Sequence, residues 1–88
     1  MPSNYKRVQI IINPAAGKNE TILNTINAGL AGSGIEWDAR ITHKFGDATR
    51  LTKEAVADGV DLVAGYGGDG TQLEVANGLV GSGVPQAL

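Results

Sequence analysis

The chain has 88 residues, a formal net charge of −2 and a hydrophobic share of 42%, which suits one small globular domain rather than a disordered or fibrous chain. It contains no cysteine, so disulfides and thiolate metal sites are excluded and a reducing, cytoplasmic setting is expected. All seven Lys and Arg residues lie at or before Lys53, followed only by the acids Glu54, Asp58, Asp61, Asp69 and Glu74; no basic patch with interleaved aromatics arises, so nucleic acid is not expected as a partner.

The opening "MPSNYKRVQIIINP" holds a short apolar run closed by Asn13 and Pro14, without the length or cleavage site of a secretory signal. No apolar stretch approaches the roughly 20 residues that span a bilayer. Arg7 to Ile12, "RVQIII", is β-branched and continuously apolar at its end. It reads as a central parallel strand buried on both faces. A helix is predicted from Asn19 or Glu20 to about Ala31. Ile22, Ile26 and Leu30, with Leu23 beside them, form its buried stripe, and "GSG" at Gly32 to Gly34 stops it.

Ile35 to Thr42, "IEWDARIT", alternates. Ile35, Trp37, Ala39 and Ile41 face one way and the polar residues the other, as in a half-exposed strand near a sheet edge. Asp47 is placed to N-cap a helix over Ala48 to Asp58, with Ala48, Leu51 and Ala55 inward. Leu62 to Ala64 is a short strand feeding a glycine-rich loop, and a third helix is predicted from about Gln72 to Leu79 or Val80. The order βαβαβα with short connections predicts an α/β fold, a parallel sheet with helices on both faces, Rossmann-like in layout. The alternating strand is expected at the edge, the first strand in the middle and the third beyond it. Val84 to Leu88 looks like the approach to a fourth strand. The chain is therefore expected to be the N-terminal part of a longer protein, truncated before that strand. An exposed third-strand edge would then favour a homodimer.

The loop "GYGGDGT" places four glycines, Gly65, Gly67, Gly68 and Gly70, within six residues. Together with "NPAAGKN" after the first strand, it stands where ligands bind at the carboxyl ends of parallel strands. Uncapped N–H groups at a helix start suit phosphate oxygens, and glycines let the backbone approach a ligand or form an anion-binding nest. Gly65, Gly67 and Gly70 satisfy G-x-G-x-x-G, yet that fingerprint belongs after a first strand, with an acid some 20 residues downstream. Asp69 beside a phosphate calls for compensation, by a bridging Mg²⁺ or by a role in orienting a hydroxyl. Alternatively, Asp69 caps the third helix, in competition with the capping box Thr71-x-x-Glu74.

"GGDGT" at Gly67 to Thr71, with "NPAAG" at Asn13 to Gly17, resembles the diacylglycerol kinase catalytic domain family, which includes bacterial lipid kinases and sphingosine kinases. NAD kinases are its more distant relatives. The continuation Glu74-Val75-x-Asn77-Gly78-Leu79 resembles the lipid kinase pattern, and Gly46-Asp47-Ala48 resembles the family's "GDA". The resemblance implies ATP-dependent, Mg²⁺-assisted phosphorylation of a lipid hydroxyl. It implies that Gly67, Gly68, Gly70 and Thr71 hold nucleotide phosphate. It further implies that Asp69 takes a catalytic part in positioning nucleotide or metal, that Asn13 and Gly17 line the same cleft, that Lys18 adds charge there and that Thr42 approaches from the second strand's end. His43 is expected to be a surface loop residue, and no set of residues is assigned to a metal. The family's second, β-rich domain, which carries lipid contacts and further catalytic acids, is expected to be missing from this chain. Lipid binding and peripheral membrane contact are therefore expected only of a full-length parent, and the chain alone is expected to be an inactive nucleotide binder. An NAD kinase-type fragment and a non-enzymatic assembly module remain the competing readings.

Overall fold

The computed structural model describes residues 5–14 and 19–87. The elements run β1 (Arg7–Ile12), α1 (Asn19–Leu30), β2 (Glu36–Ile41), α2 (Asp47–Ala57), β3 (Leu62–Tyr66), α3 (Asp69–Leu79) and β4 (Gln86–Ala87). All strand pairs are parallel, in the order β2-β1-β3-β4. The central first strand and the edge position of the alternating strand are therefore as expected.

β1 is buried from Val8 to Ile12, because both of its faces are covered. Val8, Ile10 and Ile12 pack with Ile26 and Leu30 of α1 and with Ile35, Trp37, Ala39 and Ile41. Ile22 and Leu23, the rest of the predicted α1 stripe, have side chains outside the described set. Ile11 faces the other way, into a cluster with Ala48, Leu51, Ala55, Val60, Val63, Val75 and Leu79. Ile11, Ile12, Val63 and Val75 are fully buried, and burial of each such side chain contributes about 1.5–3 kcal/mol. Gln9 is the polar exception on β1. Its amide donates to the carbonyls of Ile10 (3.2 Å) and Asp38 (3.0 Å), so its burial leaves that donor satisfied.

α2 and α3 lie side by side on one face and approach closely at Gly78. A Cβ there would sit 2.7 Å from the Thr52 Cβ and 2.9 Å from the Thr49 carbonyl. The Thr49 hydroxyl also donates to the Glu74 carbonyl at 2.7 Å. An ion pair between Arg40 and Glu54 (2.9 Å) joins β2 to α2.

Four boundaries differ from the sequence expectation. α2 begins at Asp47 behind Gly46, whose φ of 92° is left-handed, a conformation that glycine adopts without strain. Asp47 is thus not the N-cap. β3 runs on to Tyr66 and α3 begins at Asp69, so Gly65 and Tyr66 belong to a strand and Asp69 to Thr71 to a helix. The fourth strand, expected to be missing, is present as Gln86–Ala87, paired with Val63 and Ala64. The Gln86 amide donates to the Gln72 carbonyl (3.1 Å) and side-chain oxygen (3.0 Å). β3 is therefore not the bare edge on which the homodimer expectation rested.

Candidate functional site at the carboxyl ends of the strands

β1 lies between β2 and β3. Its loop leads to the helix on one face of the sheet, and the loop after β3 leads to a helix on the other. Such a divergence opens a crevice at the strands' carboxyl ends. Asn13 closes one side of it. Its backbone N–H donates to the Tyr66 carbonyl (2.9 Å), and its side-chain amide donates to the Thr71 hydroxyl oxygen (3.3 Å). Because Thr71 Oγ1 is an acceptor there, its own hydrogen remains available to donate.

The glycine turn is shorter and less contorted than its composition suggests. None of Gly65, Gly67, Gly68 and Gly70 has a positive φ. Two of them are explained by close packing. A Cβ on Gly65 would meet the Gln72 side chain at 3.0 Å, and one on Gly67 would meet Thr71 Oγ1 at 2.5 Å and the Asn13 Cβ at 3.1 Å. The other two are not: among the described residues, a Cβ on Gly68 or Gly70 would have nothing within 4 Å. Gly68 is the extended N-cap of α3, and no side chain caps that helix. Neither Asp69 nor Thr71 acts as the cap, and Asp69 is exposed at the first helical position. The first N–H groups of α3 are thus left open at the positive end of the helix dipole.

A cleft of about 460 Å³ continues from this turn, lined by Asn13, Pro14, Thr42, His43, Lys44, Phe45, Ala48, Gly70, Thr71 and Glu74. Thr42 closes its floor. Its N–H and hydroxyl both reach the Ile12 carbonyl, at 2.8 and 3.3 Å. The wall opposite the glycine turn is the β2–α2 loop, and two carboxylates hold it. Asp47 accepts the N–H groups of His43 (2.8 Å) and Lys44 (3.0 Å). Glu74 reaches across from α3, and its Oε1 accepts those of Gly46 (3.0 Å) and Ala48 (3.2 Å). Glu74 therefore caps α2, not its own helix, which corrects the capping-box expectation. Phe45, on the same loop, is 92% exposed.

The His43 N–H, with the N–H and charge of Lys44 and a side-chain hydrogen bond from Arg50, holds the Asp47 carboxyl below its ordinary range, against the opposing effect of burial. A folded-state value below the unfolded one of about 3.9 stabilises the fold above that pH. That stability is lost as pH falls through the lowered value. Asp47→Asn should accordingly lower the melting temperature at pH 7, with the gap to the parent chain narrowing below about pH 4. A gap that stays constant from pH 7 to pH 2.5 would contradict this origin.

Residues 7–88 match the family described as Diacylglycerol kinase catalytic domain. The chain belongs to that family. It is 41% identical over 78 residues to the Xanthomonas campestris protein named "Probable lipid kinase YegS-like", covering 89% of this chain and 24% of that one. It is also 41% identical over 76 residues to a diacylglycerol kinase of Staphylococcus epidermidis, covering 84% of this chain and 24% of the relative. A solved diacylglycerol kinase structure from Bacillus anthracis superimposes with a TM-score of 0.74 at 37% identity, over 86% of this chain and 28% of that one. The chain thus spans about a quarter of the length of the curated relatives it matches.

In this diacylglycerol kinase-family chain, Asn13, Thr42, Gly70 and Thr71 come together as cleft residues, with Gly67, Gly68 and Asp69 beside them in the turn that leads into α3. Gly17 and Lys18 lie outside the described residues. Sequence reasoning did not place Lys44, Phe45, Ala48 and Glu74 at the cleft, and it set His43 aside as a surface residue; His43 is exposed and also lines the wall. The Gly46-Asp47-Ala48 resemblance was the one signal pointing to that wall. Among the described residues, no group of three or more His, Cys, Asp or Glu side chains could hold a metal ion, and no helix is long and apolar enough to cross a membrane.

Proposed function

We propose that this chain is the nucleotide-binding part of an ATP-dependent lipid kinase. The observation that carries the reading is the open space beside Gly68 and Gly70. Neither backbone strain nor packing among the described residues requires glycine at those positions, so the missing side chains make room for a ligand. Bound ATP would supply the phosphoryl group for transfer to a lipid hydroxyl, the chemistry suggested by the relatives' names.

The chain's own residues divide the binding work. The uncapped N–H groups at the start of α3 face the phosphate oxygens, with the Thr71 hydroxyl donating beside them and Asn13 fixing that hydroxyl. Thr42 Oγ1 spends its hydrogen on Ile12, so it offers the cleft an acceptor. Asp69 is the single carboxylate in the turn. Mg²⁺ is commonly held by one or two carboxylates plus phosphates and water, and Asp69 with the nucleotide's own oxygens fits that pattern. The loop from His43 to Phe45 gives the remainder of the nucleotide a wall. Calorimetric titration with ATP and with NAD tests the reading: ATP should bind saturably in the presence of Mg²⁺, and NAD should bind at least tenfold more weakly. The reverse preference would replace it with the NAD kinase reading.

A further inference from the structure

We infer that the outer edge of β2 is a self-association surface, which pairs antiparallel with β2 of a second copy about a two-fold axis through Ala39. The inference is independent of what the cleft binds. β2 ends the sheet, six residues long and paired on one side only. Two contacts fix the direction of its backbone groups. The N–H groups of Glu36 and Thr42 donate to the Lys6 and Ile12 carbonyls, so by alternation the backbone groups of Glu36, Asp38, Arg40 and Thr42 turn toward β1. Those of Trp37, Ala39 and Ile41 turn outward and meet no partner among the described residues. The register with β1 is unbroken, which leaves no bulge, and the strand holds no Lys or Pro. Such devices ordinarily keep an edge from pairing.

Charge selects the occupant. With Ala39 opposite its own copy, Asp38 of each strand faces Arg40 of the other, and Trp37 faces Ile41. The charged pairs lie on one face and the apolar pairs on the other. Asp38 is exposed and has no ion pair among the described residues. Arg40 gives one guanidinium N–H to Glu54, and others remain to donate. Trp37 and Ile41 pack against the β1 cluster yet are only half-buried, so a cross-strand pair of an aromatic and a β-branched residue covers more of each. Moving the axis by one residue to either side sets Asp38 against Asp38 or Arg40 against Arg40, and like charges directly opposite are destabilising. The edge strand is thus complementary to itself in one register. β4, at the other end of the sheet, is only two residues long.

Sedimentation equilibrium of the 88-residue chain tests the inference. Two short strands bury less than the roughly 1,200 Å² of a standard interface, so the dimer should be weak, with a Kd on the order of 100 μM. Asp38→Lys sets like charges opposite each other at both symmetry-related positions and should raise the Kd about tenfold. Mixing Asp38→Lys with Arg40→Glu restores opposite charges at both positions, so the mixture should dimerise about tenfold more tightly than either variant alone. The chain has no cysteine, so Ala39→Cys gives a second readout that does not depend on the folding of Arg40→Glu. Residues opposite each other in a hydrogen-bonded antiparallel pair lie about 5.5 Å apart at Cα, within disulfide range. Mild oxidation should therefore cross-link Ala39→Cys about tenfold faster than Asp38→Cys, which faces Arg40 instead of its own copy. A parent chain that stays monomeric up to about 1 mM would overturn the inference. So would a dimer indifferent to Asp38→Lys, or one that cross-links through Asp38→Cys as fast as through Ala39→Cys, because either places the contact elsewhere.

Discussion

Replacing Gly78 with alanine is expected to lower the melting temperature by roughly 5–20 °C. The new Cβ would lie 2.7 and 2.8 Å from the Thr52 Cβ and Cγ2 and 2.9 Å from the Thr49 carbonyl oxygen. Real Cβ contacts are longer, so something must move. Thr52 is fully buried, and the Thr49 oxygen is backbone in the first turn of α2, so neither can turn aside as the end of a long side chain would. The helices must separate instead. Overpacking of this kind costs about 1–3 kcal/mol, a large part of the roughly 5 kcal/mol that a small domain holds. Separation would also reach the cleft, because Glu74 sits one turn before Gly78 on α3 and anchors the start of α2. Thermal unfolding followed by circular dichroism measures the effect. A melting temperature within about 2 °C of the parent would show that the helix pair has slack that these distances deny.

Gly70→Ala should have the opposite signature, stability up and binding down. Gly70 stands in the first turn of α3 at an ordinary φ, and a Cβ there meets nothing within 4 Å among the described residues. Alanine is the better helix former by up to about 1 kcal/mol, so the folded state should gain. The same methyl would project into the space assigned to phosphate, and ATP affinity should fall on the order of tenfold, about 1.4 kcal/mol. The pairing of the two measurements is what discriminates. A merely structural glycine loses stability when replaced, and one that is neither structural nor functional loses nothing. Stability raised with ATP affinity unchanged would remove the main support for the phosphate assignment.

The hydrophobic pattern carried most of the fold. The continuous run in β1 and the alternation in β2 mark a centre and an edge by burial alone, and the sheet places them so. In the glycine turn, density of glycine does not mean a left-handed backbone, because none of the four has a positive φ. Gly65 and Gly67 serve close contact with Gln72, Thr71 and Asn13, partners that are brought in by the fold. Asp47 and Glu74 show the same limit for capping. Both stand at positions that local rules assign to the start of their own helix. Instead, one carboxylate turns back to His43 and Lys44, and the other crosses to Gly46 and Ala48. A contact between residues 28 apart, such as Gly46 with Glu74, has no periodicity to announce it. For the same reason, only the neighbouring Gly46-Asp47-Ala48 resemblance marks the Lys44–Phe45 wall in the sequence.

Divergence of the loops after β1 and β3 to opposite faces has a consequence for how this chain can vary. The gap between them is made by main-chain routing, and its width follows the spacing and twist of two hydrogen-bonded neighbours in a sheet. Side chains at the rim, Asn13 and Thr71 among them, brace that gap and line its entrance. Phe45, exposed on the facing loop, is therefore a residue that can be exchanged without rebuilding that opening.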